Sequence, residues 1–256
     1  MFFCKKNDVK STTKIGLSTV FDLISPPLCR GCGRAEGFLC PRCKNYIKNH
    51  VKVRSLMADF PEAEKVFRKV GFLGFRDEIL GEMVEEYKYE SVRGLAGPLG
   101  EILATGILKM NKGRVKKLVL VPMPTNRKHI RERGFDHMKV IAKAAQRVLR
   151  EKGIEAEIVP MLVRAKDTTQ VGASEEMRRE QAKEAVRLNP AALTSRGKLD
   201  KRNVTICIVD DVWTTGASMI EAGKILKGAG AKNLVGVTIT KNRYKKSPLI
   251  RRGELM

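Results

Sequence analysis

Ile206-Cys207-Ile208-Val209-Asp210-Asp211-Val212-Trp213-Thr214-Thr215-Gly216-Ala217-Ser218 is the stretch that decides the fold. Its first four apolar residues read as a buried strand, with two acids at the strand's carboxyl end. A short Thr/Gly/Ser turn follows and opens into a helical pattern. In open α/β sheets, ligands bind outside the carboxyl ends of strands, where the chain turns into a helix. Thr214, Thr215, Gly216, Ala217 and Ser218 offer hydroxyls and backbone N–H groups at a helix N-terminus, a receptor suited to phosphate. Asp210 and Asp211 beside that turn point to a ligand carrying a phosphate at one end, with hydroxyls or a metal nearby.

Outward from this stretch the chain alternates strands and helices. Val66–Phe75 reads as a strand, and Ile79, Leu80, Met83, Val84 and Tyr87 mark the buried face of a helix. A second helix runs from about Arg93 to Met110 with Leu95, Leu99, Ile102 and Leu103 inward. Lys117–Val121 is an apolar strand ending in Pro122-Met123-Pro124 and a basic loop, Asn126 to Phe135. Arg127, Lys128, His129, Arg131 and Arg133 on that loop form a clamp for pyrophosphate at a strand's carboxyl end. The next helix buries Met138, Ile141, Ala142, Ala145, Val148 and Leu149 at i, i+3, i+4, i+7 spacing. Its outer face, Lys139, Lys143, Arg147 and Arg150, reads either as a solvated face or as a nucleic-acid stripe.

Strand Ile158–Val163 precedes a charge-rich excursion over residues 164–200, with one helix near Glu175–Val186, of the kind that forms active-site lids. Strand Val204–Val209, a helix face of Ala222, Ile225, Leu226 and Ala229, and strand Leu234–Thr240 complete the domain. The alternation predicts an α/β fold, a mostly parallel sheet with helices on both faces. The expected division is 1–55 for an N-terminal helix and cysteine module, 56–245 for the α/β domain, and 246–256 for a basic tail.

A length of 256 residues suits one α/β domain plus a small accessory module. The formal charge of +22 favours polyanionic partners (nucleic acid, a membrane surface or phosphorylated small molecules), or reflects well-solvated faces. MFFCKKNDVKSTTKIG lacks the apolar run of a signal peptide, and no segment reaches the roughly 18–20 apolar residues of a membrane span. The expected location is the cytoplasm.

Four of the six cysteines lie between Cys29 and Cys43. Cys29-x2-Cys32 and Cys40-x2-Cys43 bring four thiolates within reach of one tetrahedral ion, predicting a structural zinc. Gly31 and Gly33 suit turns whose N–H groups point at the sulfurs. Arg30, Arg34, Arg42, Lys44, Lys48 and Lys52 surround the module, which either grips nucleic acid or docks on another domain. A short amphipathic helix over residues 11–28 leads into it, and Cys207 is expected in the core.

Ile206–Ser218 resembles the phosphoribosyl pyrophosphate (PRPP) signature of type I phosphoribosyltransferases. With the four-cysteine module added, nearly the whole chain resembles the ComF family of competence proteins, which join a zinc finger to a phosphoribosyltransferase domain. Pro26-Pro27-Leu28-Cys29, Tyr87-Lys88-Tyr89, Pro122-Met123-Pro124, Arg133-Gly134-Phe135 and Arg164 through Gln170 support it. The resemblance implies a type I phosphoribosyltransferase fold in which Asp210 and Asp211 hold the ribose hydroxyls and the magnesium environment. It places the 5-phosphate on Thr214–Ser218, and the pyrophosphate on Lys88, Arg127, Arg131 and Arg133. Two positions depart from the pattern: Asp136-His137 stands where Asn-Gln is common, and Gln181 where an Asn is.

The resemblance further implies uptake of transforming DNA, with single-stranded DNA and a DNA-uptake helicase as partners. Two other functions fit the same residues. One is an active phosphoribosyltransferase of nucleotide salvage or synthesis, displacing pyrophosphate from PRPP; the other is a non-catalytic ligand sensor. With aromatics at 5% of the chain, few stacking platforms are offered to a purine acceptor.

Overall fold

The structure is a computed structural model, and it describes residues 27–90, 92–164, 186–191 and 204–243. Residues 11–26 of the helix expected over 11–28, residues 175–185 of the helix expected over 175–186, and the whole tail, 246–256, lie outside the described residues.

The chain begins with the cysteine turn and α1 (Pro41–His50), then β1 (Arg54–Ser55) and the short α2 (Pro61–Glu64). β2 (Lys69–Phe75), α3 (Ile79–Tyr89), a 3-10 turn (Arg93–Leu95) and α4 (Ala96–Asn111) follow. Next come β3 (Lys117–Pro122), α5 (Arg127–Arg133), α6 (His137–Glu151), β4 (Glu155–Ile158) and β5 (Leu162–Arg164). β6 (Val186–Leu188), β7 (Thr205–Trp213), α7 (Ala217–Gly228) and β8 (Leu234–Lys241) end it.

The main sheet has the order β1-β2-β8-β7-β3-β4. Every pairing is parallel except β1 with β2. The expected α/β architecture is therefore present, and β7 lies in the middle of it. Strand alternation decides what lies on each face, because successive side chains point to opposite sides. Leu118, Leu120, Cys207, Val209, Val235 and Val237 join one core with the buried faces of α3, α4 and α6. Val121, Ile206, Ile208 and Leu234 join a second core with α2 and α7. α4 and α6 approach so closely that a Cβ on Gly100 would stand 2.3 Å from the Ala144 Cβ. Cys207 is fully buried, and burial pushes its thiol up, as a core cysteine requires.

Four boundaries differ from the sequence expectation, each for a local reason. The basic loop is a helix, α5, since Asn126 Oδ1 caps it by accepting the Lys128 N–H at 2.7 Å and Gly134 ends it at φ 75°. The strand expected over 158–163 breaks at Pro160, which has no N–H to give a ladder; β4 stays in the main sheet while β5 pairs antiparallel with β6. Val186 accordingly belongs to β6, not to a helix. β2 starts at Lys69, because the Val66 and Phe67 N–H groups turn back to the Ala63 carbonyl.

The fourth difference bears on the site. β7 does not stop at Val209: its pairing with β8 continues through Asp210–Thr238 and Val212–Thr240 to Trp213–Lys241. Both acids are therefore strand residues.

Candidate functional site

Because β7 runs through them, Asp210 and Asp211 leave the sheet on opposite faces. Asp211 follows Cys207 and Val209 toward the α3/α6 side, where it meets Lys88 Nζ at 2.8 Å and His137 Nε2 at 2.5 Å, both on Oδ2. Asp210 follows Ile206 and Ile208, stays half-buried, and forms no ion pair among the described residues. Its Oδ1 accepts the Asp211 N–H at 2.9 Å. Burial and the adjacent Asp211 push its carboxyl up to about 7. Burial acts on Asp211 in the same direction, but the Lys88 ammonium and the His137 hydrogen bond outweigh it and hold the group well below the ordinary range.

His137 is the residue that sequence reading did not single out as functional. It begins α6, capped by Asp136, whose Oδ1 accepts the Lys139 N–H at 3.3 Å. Ionised Asp211 can only accept, so Nε2 carries the ring proton. The remaining nitrogen, Nδ1, then faces a donor, Arg133, at 3.3 Å. Thr125 Oγ1 lies 3.2 Å from the same nitrogen and donates to Asp136 at 2.9 Å. Tyr87 donates to the His137 carbonyl at 3.3 Å, and Arg93 lies 4.9 Å over the Phe135 ring, so the Arg133-Gly134-Phe135 corner is held from both sides.

The Thr214–Ser218 turn joins β7 to α7. Gly216 has φ 78°, and a Cβ there would stand 2.1 Å from the buried Trp213 ring, so the position admits glycine alone without rearrangement. The N-cap Gly216 has no side chain to cap α7, and Thr215 Oγ1 accepts only the Ala217 N–H, at 3.4 Å, beside the exposed Thr214 and Ser218.

The five cations expected as one clamp all lie on α5 but point to different partners, Lys128 and His129 turning to Glu132. Arg133 lies at His137 and also 5.5 Å over the Tyr89 ring. Arg127 and Arg131 are exposed. Arg127 lines a separate cleft with Lys139, Lys143 and Arg164. Lys88 is drawn to Asp211 on the far side of the sheet's carboxyl edge.

At the other end of the chain, the sulfurs of Cys29, Cys32, Cys40 and Cys43 all lie within 4.8 Å of one another. The Cys32–Cys40 sulfurs are 3.7 Å apart. A tetrahedral site with metal–sulfur bonds of about 2.3 Å has sulfur–sulfur edges of about 3.8 Å, so the donor set fits zinc. Backbone amides serve the sulfurs as well: the Cys29 Sγ accepts from the Cys40 N–H at 3.2 Å and from the Gly31 N–H at 3.4 Å. Burial raises the Cys29 thiol, yet these amides prevail and hold it at about 6, in its ligating thiolate form. Gly33 differs from expectation, giving its N–H to the Cys29 carbonyl.

The module is docked. Arg30 Nε meets Glu86 Oε2 on α3 at 2.5 Å, and Lys44 Nζ meets Glu101 Oε1 on α4 at 3.0 Å. Phe38 packs where a Cβ on Gly94 would stand, 2.0 Å from its ring.

No family model matches the chain. It is similar to competence protein F of Haemophilus influenzae, at 24% identity over 211 residues, which is 81% of this chain and 82% of that protein. The four-cysteine cluster fits the zinc module that the resemblance implied. Among the described residues, no helix is long and apolar enough to cross a membrane.

Two outcomes follow from this geometry. The purified chain carries about one zinc per molecule, and chelation lowers its thermal midpoint because α1 loses its anchor; a midpoint indifferent to chelation contradicts the site. Asp210, with its folded-state value raised to about 7, lowers stability progressively as pH rises from about 4 to 7. Asp210→Asn therefore raises the thermal midpoint at pH 7.5 and leaves it unchanged near pH 3.5. Equal midpoints at both pH values contradict this assignment.

Proposed function

We propose that this ComF-like chain binds PRPP at the junction of β7 and α7 and binds single-stranded DNA, in support of DNA uptake during natural competence. The observation that carries the PRPP reading is that junction itself. A helix N-terminus whose N-cap glycine brings no side chain, a turn fixed by Gly216 against Trp213, and the Asp210 carboxylate meet within a few residues. Amides and hydroxyls of Thr214, Thr215, Gly216, Ala217 and Ser218 receive the 5-phosphate. Asp210 meets the ribose hydroxyls, while Asp211, anchored by Lys88 and His137, fixes the strand end and faces the sugar with its second oxygen. Arg133 and Lys88, with Arg127 and Arg131 farther along α5, favour the pyrophosphate. Magnesium bound with the diphosphate would neutralise leaving-group charge, and Asp210, outside any ion pair among the described residues, is the carboxylate offered to it.

The DNA part rests on the similarity to a competence protein and on the net charge of +22. A phosphate-rich strand gains affinity by releasing its counterions to such a surface.

A working phosphoribosyltransferase is the second reading, and one observation favours it. A carboxyl held at about 7 titrates where a general base for an incoming nucleophile is most useful. Pyrophosphate release that depends on an added acceptor distinguishes turnover from binding alone.

Calorimetry in magnesium buffer tests the PRPP assignment. Asp210→Asn is expected to weaken PRPP by about tenfold or more, since charge-assisted hydroxyl bonds contribute about 1.5–3 kcal/mol. Affinity equal to that of the unaltered chain contradicts it.

A further inference from the structure

Between α6 and the edge formed by β4 and β5 lies a cleft of about 460 Å³ that shares no residue with the Asp210–Ser218 junction. Four cations line it: Arg127, Lys139, Lys143 and Arg164. Its one carboxylate, Asp136, is already committed, accepting from Thr125 Oγ1 at 2.9 Å and from the Lys139 N–H at 3.3 Å. Arg164 Nε donates to the Pro124 carbonyl at 3.2 Å, and its other nitrogens have no hydrogen bond among the described residues. Arg127, Lys139 and Lys143 are exposed and form no ion pair among the described residues.

Lys139 and Lys143 stand one turn apart on the same helix face, where like charges repel. That arrangement is relieved by an anion between them. The same cleft is lined by the apolar Met123, Ile158, Leu162 and Pro160. A simple anion would leave that apolar lining wet, whereas a flat ring covers it. The volume is that of a small-molecule pocket, a few hundred Å³.

We propose that this cleft is a second ligand site that takes a nucleoside monophosphate. The phosphate lies among Arg127, Lys139 and Lys143, and the base lies on the apolar floor under Arg164. The cleft shares Arg127 with the pyrophosphate reading but neither Lys139 nor Lys143, and the two sites are physically close. The charge of Arg164 acts on Asp210, and Thr125 links Asp136 to the His137 ring that grips Asp211.

Calorimetry on the full chain tests this with AMP as the probe, and with adenosine, inorganic phosphate, oligothymidylate and PRPP as separate arms. AMP is expected to bind at least about tenfold more tightly than adenosine or phosphate alone, the equivalent of about 1.4 kcal/mol for having both parts. The double variant Lys139→Gln/Lys143→Gln, altered at two exposed positions, loses about tenfold or more for AMP and keeps its PRPP affinity within about twofold. Asp210→Asn does the reverse, so failure of the PRPP assignment leaves the AMP result intact. AMP binding no tighter than phosphate means an anion site only and overturns the proposal. Binding of oligothymidylate without AMP, lost in the double variant, marks a nucleic-acid surface and also overturns it. AMP affinity unchanged in the double variant, or abolished by Asp210→Asn, moves the nucleotide to the other site and overturns it equally.

Discussion

One carboxylate oxygen of Asp211 receives both the Lys88 ammonium and the His137 imidazole, and through it β7, α3 and α6 are joined at the sheet's carboxyl edge. Three groups that are each costly to bury share a single point. Such a cluster is stable only while it is complete, because removing one member leaves an uncompensated buried charge. The remainder of the site depends on it. α3 brings Lys88 to Asp211 and sets Tyr87 and Tyr89 on either side; α6 begins with the ring that orients Arg133. Asp210, one residue earlier, is left as the strand's half-buried acid, with its ionisation opposed by burial and by Asp211.

The cysteine module reaches the same place from outside. Arg30 grips Glu86, which lies on α3 two residues before Lys88. Lys109 on α4 gathers the carbonyls of Lys48, Asn49 and Val51 at 2.9, 3.0 and 2.9 Å, closing the end of α1 onto the domain. Of the two roles open to the module on sequence grounds, docking is the one its packed face performs. Exposed Arg34 and Arg42 lie away from that face.

Much of this was legible in the residues. The continuous apolar run Ile206–Val209, the 3.6 period of α6 and the paired C-x2-C spacing report burial and a four-sulfur cluster directly, since each is a local consequence of geometry. Some of the remainder had signals that carried their own physics. Asn126 and Gly134 are a cap and a stop that mark α5 as a helix, Pro160 breaks a ladder, and period 2 applied one residue further puts Asp210 and Asp211 on opposite faces. The Lys88–Asp211–His137 cluster had none. Its members come from three elements, 49 and 74 residues apart, and a lone histidine after Asp136 looks like any helix-starting residue. The cleft was hidden for the same reason: Lys139 and Lys143 read as a solvated face until β5 and Arg164 are folded against them.

Titration of the 15N-labelled chain with PRPP in magnesium buffer, followed residue by residue, tests the central assignment most directly. The account predicts that the largest amide shifts fall on Gly216, Ala217 and Ser218, the N–H groups facing the 5-phosphate, with smaller ones at Asp210. Saturating PRPP that leaves these amides unmoved, or moves only those of the cysteine module, contradicts it.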